Sequence, residues 1–243
     1  MKKKIKLLII DFVIIICLFG IIYSGYNIIT WKIDNDKNRD IKKELDTSIE
    51  LDEIDKKYNI DWEKLKKQNP DTVGYIKVNN TNIDYVVVQT KDNNYYLKHN
   101  FNKETNKAGW IFVDFRNELD NNDKNIVIYG HDTRNGSMFG TLGNVIKSNW
   151  YTNKDNHIIE FVTENNSYRY QVFSTYSIKP EDYYIKTDFK NEKEYLEFLK
   201  EIESRSIYNY KILLNENDKI LTLSSCLERG KKRVVLHAKL IEE

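Results

Sequence analysis

The chain has 243 residues, a formal net charge of +1, and 40% hydrophobic and 13% aromatic content. That apolar content excludes a disordered chain, and only two prolines and nine glycines exclude fibrous and low-complexity classes. A balanced charge with no clustered basic face leaves no footprint for a nucleic-acid partner.

The N-terminal tip, Met1–Lys6, carries four lysines. From Leu7 to Ile29 the chain is almost wholly apolar, broken mainly by Asp11. The cleaner stretch, Phe12–Ile29, is long enough to cross a bilayer core of roughly 30 Å. The positive-inside rule keeps the lysines in the cytoplasm and puts everything after about Trp31 outside the cell. A cleaved signal peptide is the other possibility, but its apolar core is shorter and ends in a small-x-small site. Here the run ends in Tyr-Asn-Ile-Ile-Thr-Trp, so an uncleaved single-pass anchor is expected. On this reading Cys17 lies in lipid and Cys226 outside, and the two cannot pair. A lone thiol in an exported domain is either a buried, inert side chain or a reactive one.

After the anchor, Ile41, Leu45, Ile49, Leu51, Ile54, Tyr58, Trp62 and Leu65 recur near helical spacing. They predict one or two amphipathic helices over 34–68, broken around Asn59. Asn69-Pro70-Asp71 stops them. Beyond Val73 the pattern changes to short β-branched and aromatic runs separated by Asn, Asp and Gly. Predicted strands are Gly74–Val78, Ile83–Gln89, Gly109–Asp114, Asn125–His131, His157–Thr163, Ser167–Ile178, Lys219–Cys226 and Arg233–Ile241. Eight strands with regular turn signals point to a closed β-barrel or a sandwich. Two helical patches interrupt them, a short one near Met138–Val145 and one over Glu192–Ser204 with Tyr195, Leu196, Leu199 and Ile202 on its apolar face. The expected division is 1–30 for the cytoplasmic tip and anchor, 31–70 for a helical segment, and 71–243 for a single β-domain.

Thiol chemistry needs a thiolate, an acid/base partner and a donor for the developing oxyanion. Cys226 ends a predicted strand and Arg233 opens the next. An antiparallel hairpin would make them cross-strand neighbours. A guanidinium there lowers a thiol pKa from roughly 8.5 or holds an oxygen as it gains charge. Arg229 is also close, but in the connecting loop with Glu228 and Gly230. Of the four histidines, His131 stands at a strand end before a polar turn, Asp132–Gly136, where site residues gather. His99 and His157 read as surface residues. His237 shares a strand face with Arg233, two steps along, and is the second-choice base. Val234, Leu236, Ala238 and Leu240, on the other face, read as core. There is no metal-ligand spacing, C-x-x-C pair, phosphate loop or dinucleotide fingerprint, so no cofactor or metal is expected.

Three pieces of sequence resemble the sortase family: Thr222-Leu223-Ser224-Ser225-Cys226, similar to the family's Thr-Leu-x-Thr-Cys signature; Tyr129-Gly130-His131 after a strand; and Arg233 opening the final strand. Their order and the N-terminal anchor also match. Ser225 departs from the usual threonine, one hydroxyl for another. The segment before the barrel and the helix over Glu192–Ser204 are similar to those of class B. The resemblance implies an eight-stranded sortase-type β-barrel with N-terminal helices and a helix between strands 6 and 7, preceded by one transmembrane helix. It implies a cysteine transpeptidase. Cys226 would attack the threonine carbonyl of a C-terminal sorting signal on a secreted protein, His131 protonate the leaving amine, and Arg233 stabilise the oxyanion. An amine of peptidoglycan or of its lipid-linked precursor would release the acyl group. By the same resemblance Asn93, Leu97, Tyr184, Ile185 and Ser224 are candidate substrate-binding positions.

Two other functions fit the same residues. One is a cysteine hydrolase of wall peptides or surface proteins. Papain-like enzymes place cysteine before histidine, at a helix start, and here the order is reversed. The other is a non-catalytic anchored domain that binds a wall component. Replacing Cys226 with alanine separates these classes. Both enzyme readings predict complete loss of turnover of sorting-signal peptides, whereas a binding domain keeps its function unchanged in a wall-binding assay.

Overall fold

One long helix, α1 (Lys2–Asp46), opens the chain. The computed structural model describes residues 2–55, 57–120, 122–227 and 231–242, without the side chains of Lys2, Lys3, Leu8, Cys226 and Leu227. The first half of α1 is long and apolar enough to cross a membrane, and none of its most apolar stretch is buried. Its last turns bury Asn35, Asn38, Ile41 and Leu45, a stripe at spacings of three and four that one helix face presents. Asn38 Nδ2 donates to Gly109 O at 3.0 Å. Asn106 Nδ2 donates to Asp34 O at 2.9 Å.

The expectation of one or two helices over 34–68, broken around Asn59, is corrected over Ile49–Ile60. A β-hairpin, β1 (Ile49–Asp52) and β2 (Lys57–Ile60), interrupts the helical segment. Ile49 and Leu51 on one strand, Tyr58 and Ile60 on the other, face inward at a period of two. Over so few residues that period is hard to separate from a helical one. Asp52 starts the turn, with its carboxylate accepting from the Ile54 amide at 2.8 Å, and Ile54 is 92% exposed. Helix α2 (Trp62–Gln68) follows, capped by Asp61, whose side chain accepts from Lys64 N at 2.9 Å.

Eight strands then close a barrel: β3 (Thr72–Val78), β4 (Asp84–Val88), β5 (Phe112–Val113), β6 (Asn125–Gly130), β7 (Ile158–Val162), β8 (Ser167–Ile178), β9 (Ile220–Leu227) and β10 (Lys232–Glu242). Their order around the barrel is β10-β8-β7-β3-β4-β5-β6-β9. The predicted strand at Gly109–Asp114 shrinks to the two residues of β5, because Gly109 takes a positive φ of 60° and bends the chain. The patch near Met138 becomes a 3₁₀ turn at Leu142–Ile146 and a short helix, α3 (Ser148–Thr152).

Two apolar clusters hold the barrel. One fills its interior, and Val234, Leu236 and Ala238 of β10 belong to it. The other lies outside the wall, under α4 (Glu192–Ser204). Helix α4 joins β8 to β9, the sixth and seventh barrel strands, and Asn191 caps it by accepting from Glu194 N at 3.0 Å. Its buried stripe is Tyr195, Phe198, Leu199 and Ile202; Leu196 is only half-buried. Because α4 covers β8 and β10 from outside, those strands are buried on both faces where they pass beneath it.

Leu65→Ala, at a fully buried side chain of α2, is expected to cost about 2–5 kcal/mol. Ile54→Ala is expected to stay within about 0.5 kcal/mol. Urea midpoints of the full chain in detergent check both. An Ile54→Ala cost as large as that of Leu65→Ala would contradict an exposed hairpin turn at Ile54.

Candidate active site

The barrel order places β9 between β6 and β10. Strand β6 runs parallel to β9, with Tyr129 opposite Ser224 and Gly130 opposite Ser225. Strand β10 runs antiparallel to β9, with Arg233 opposite Cys226. His131, one step past Gly130, therefore stands on one side of Cys226 while Arg233 stands on the other. The hairpin that the sequence predicts forms here. Glu228, Arg229 and Gly230 in its connection lie outside the described residues.

His131 is half-buried, and its Nε2 lies 2.8 Å from Leu97 O. A carbonyl oxygen only accepts, so Nε2 carries the hydrogen, and Nδ1 is the nitrogen left to take or give a proton. The contact depends on Gly109: a Cβ there would lie 2.3 Å from Tyr96 O and 3.0 Å from the His131 ring. Gly130 is similarly constrained, since a Cβ would sit 2.6 Å from the Phe139 ring.

His131, Arg233, Ser224 and Ser225 line an open cleft of about 340 Å³, together with Asn93, Leu97, Tyr184 and Ile185. All five candidate substrate positions thus face one space. Tyr184 and Ser224 are nearly inaccessible, and their hydroxyls meet at 3.0 Å, so they form its floor. Arg233 Nη1 is buried without a hydrogen-bond partner among the described residues.

The walls are held by polar groups that sequence reasoning did not single out. Asp114 is fully buried and accepts from Asn93 Nδ2 at 2.9 Å, Tyr129 Oη at 2.7 Å, and Arg116 Nε and Nη2 at 2.8 and 2.7 Å. Burial pushes its carboxyl up, but the bonds from Arg116 and Tyr129 outweigh that and hold it below the usual carboxylate range. Arg116 Nη2 also donates to Ile185 O at 2.8 Å, fixing the opposite wall. The only sequence signal was the close pair Asp114-x-Arg116.

His157 and His99 are not the surface residues that the sequence suggests. His157 is buried among Trp150, Tyr151 and Tyr210. His99 is half-buried and stacks on Tyr95 at 4.0 Å. His237 shares the Arg233 face, but α4 covers that face there, and its ring is fully buried. It is part of a directed chain of hydrogen bonds. Thr222 Oγ1 donates to Asn125 Oδ1 at 2.7 Å, so its contact with His237 Nδ1 at 2.8 Å needs the hydrogen on Nδ1. Nε2 then accepts from Tyr176 Oη at 2.9 Å, and Tyr183 Oη donates to Tyr176 at 3.0 Å. Asn125 Nδ2 donates onward to Lys186 O at 2.9 Å. His237 is a satisfied structural histidine, walled off from the cleft.

Comparison with known proteins agrees with this geometry. Residues 76–241 match the family model of the sortase domain. The chain belongs to the sortase family. Sortase B of Staphylococcus aureus (strain NCTC 8325 / PS 47) is 35% identical over 247 residues, covering 100% of this chain and 98% of that protein. Sortase B of Clostridium perfringens has a TM-score of 0.70 at 42% identity, covering 74% of this chain and 100% of that one. Sortase B of B. anthracis has a TM-score of 0.77 at 32% identity, covering 87% and 99%. The likeness is to class B, and this sortase is a cysteine transpeptidase with the class's eight-stranded barrel.

Burial pushes the His237 pKa down to about 3, while in the unfolded chain it titrates near 6.5. Between those values the unfolded state binds a proton that the fold refuses, so stability falls as pH drops through that window. Above pH 6.5 the contribution is absent. His237→Gln is expected to flatten the dependence of the urea midpoint on pH across the window. Parallel curves for variant and parent would contradict a buried neutral imidazole.

Proposed function

We propose that this sortase cleaves the C-terminal sorting signal of secreted proteins after a threonine and joins the new acyl end to a peptidoglycan amine or its lipid-linked precursor. The observation that carries this reading is the row His131, Cys226, Arg233 across β6, β9 and β10. In that row the Cys226 thiolate attacks the threonine carbonyl. Arg233, whose Nη1 has no hydrogen-bond partner among the described residues, stabilises the oxyanion. His131 gives its proton from Nδ1 to the departing amine, because Nε2 is committed to Leu97 O. The thioester stays activated, so an amine captures it without an external energy source.

The sorting peptide lies in the cleft between Asn93 and Leu97 on one wall and Ile185 on the other, above Tyr184 and Ser224. The apolar part of α1 spans the membrane once, with the lysine tip in the cytoplasm and the barrel on the wall side. Residues 1–30 then form the tip and anchor, 31–70 a spacer that docks on the barrel, and 71–243 the catalytic unit.

Incubating the full chain in detergent with a peptide library spanning Pro-x-Thr motifs is expected to give an acyl adduct on Cys226 by mass. An added amine is expected to convert that adduct to amide product. Arg233→Lys keeps the charge but not the planar fork, and should lower kcat by about 10²–10³-fold. Hydrolysis with no amine capture would favour the hydrolase. No adduct with any peptide would sink the catalytic reading.

A further inference from the structure

Two buried asparagines, Asn38 of α1 and Asn106 of the loop before β5, face one another. Asn106 Nδ2 donates to Asn38 Oδ1 at 2.9 Å, and Asn38 Nδ2 donates back to Asn106 Oδ1 at 3.4 Å, which closes a reciprocal amide pair. Each amide also reaches a backbone group beyond its partner. Asn38 Nδ2 donates to Gly109 O at 3.0 Å, Asn106 Nδ2 donates to Asp34 O at 2.9 Å, and Asn106 Oδ1 accepts from Ala108 N at 2.8 Å. We propose that Asn38 and Asn106 are positioning residues for His131, so that the docked end of α1 holds the imidazole in its working orientation from outside the cleft.

The path from the pair to the ring is short. Segment 106–110 is bonded to segment 96–98 at both ends: Asn106 N donates to Lys98 O at 2.8 Å, and Trp110 N donates to Tyr96 O at 2.9 Å. These bonds take the carbonyls on either side of Leu97 and leave Leu97 O to accept from His131 Nε2 at 2.8 Å. Gly109 touches all three parties. A Cβ on it would meet Tyr96 O at 2.3 Å, the His131 ring at 3.0 Å and Leu97 O at 3.1 Å. With a φ of 60° and no side chain, Gly109 has little of its own to hold it there. The bond from Asn38 to its carbonyl supplies the constraint.

The polar character of the pair matters. Ile41 and Leu45 dock the same face of α1 by apolar contact, which is non-directional. Two amides with their bond directions set fix the loop in register as well as in contact. A shift of about 1 Å in a reacting group is enough to slow a reaction roughly a hundredfold, so a constraint this close to the ring bears on rate.

The assignment rests on the transpeptidase reading, so one readout needs no turnover. The full chain in detergent is isotope-labelled at its histidine nitrogens, and the imidazole NMR spectrum shows which ring nitrogen carries the hydrogen when His131 is neutral. His131→Gln identifies its signals. Asn38→Ala and Asn106→Ala are each expected to turn a single Nε2–H form into a mixture of both tautomers. Acylation of Cys226 is then timed in single turnover with two donors of one peptide sequence. One is an amide, whose leaving amine needs a proton; the other is a p-nitrophenyl ester, whose leaving phenolate does not. Each alanine variant is expected to slow acylation by the amide about tenfold, and by the ester less than about twofold. The double variant is expected to be no slower than either single one, because both act through one pair. Ile41→Ala, which cuts only the apolar docking, is expected to lower the urea midpoint and leave the tautomer and the amide-to-ester ratio unchanged. If one asparagine variant fails to fold, the other carries the test. A single Nε2–H form in the asparagine variants, equal slowing with both donors, or an Ile41→Ala effect on the ratio as large as theirs would overturn the assignment. Mixed tautomers in the variants of a parent that forms no acyl-enzyme would uphold the positioning role while sinking the transpeptidase reading.

Discussion

The hydrogen-bond ladder on both sides of β9 is the constraint on which the rest of this structure depends. Its register with β10 puts Arg233 opposite Cys226, and its register with β6 brings His131 alongside. A strand alternates its faces at every residue, so a slip of one position on either side would turn one of these residues away from the others. The strands carry apolar residues on the barrel face, and burying that face locks the register. The chemistry of the row is therefore secured by the packing behind it. The parallel pairing of β6 with β9 needs a long crossover, and β7, β8 and α4 supply it.

Two polar networks shape the cleft around this row, and both obey the rule that buried polar groups must be satisfied. Asp114 is the more costly of the two, being a charge out of contact with water. Its fork from Arg116 and its bonds to Tyr129 and Asn93 offset that cost. The same bonds tie three parts of the cleft to one carboxylate. The chain through Tyr176, His237, Thr222 and Asn125 is neutral, and each donor has one acceptor waiting. It ends on Lys186 O, next to the cleft wall, so the threonine that opens the Thr-Leu-Ser-Ser-Cys stretch helps hold that wall.

Helix α1 carries two kinds of surface on one element. Its first half suits lipid, and its last turns are a docking surface, where Asn38 donates to Gly109 O and the loop's Asn106 donates back to Asp34 O. That loop supplies the glycine against which the His131 ring packs. The site and the docked end of α1 are thus neighbours in space.

Much of this was legible in the sequence. The apolar run, the strand segments, the helix at Glu192–Ser204 and the Cys226–Arg233 hairpin all follow from periodicity and turn chemistry, which act over a few residues. So does the family resemblance, because it rests on short motifs. Other features were decided only in three dimensions. The hairpin at Ile49–Ile60 was hidden because four inward apolar residues fit two periods equally well. His237 was left open as a base because strand alternation gives a face, but not what covers that face; α4, from elsewhere in the chain, covers it. His157 was placed at the surface although an aromatic cluster assembled from distant segments buries it. Asp114 and Arg116 had little sequence signal beyond their own closeness, since Asn93, Tyr129 and Ile185, which they hold, come from other segments. Local sequence determines which elements form and which residues bear chemistry. Long-range packing decides which of them meet, because burial and hydrogen-bond pairing are properties of the assembled barrel.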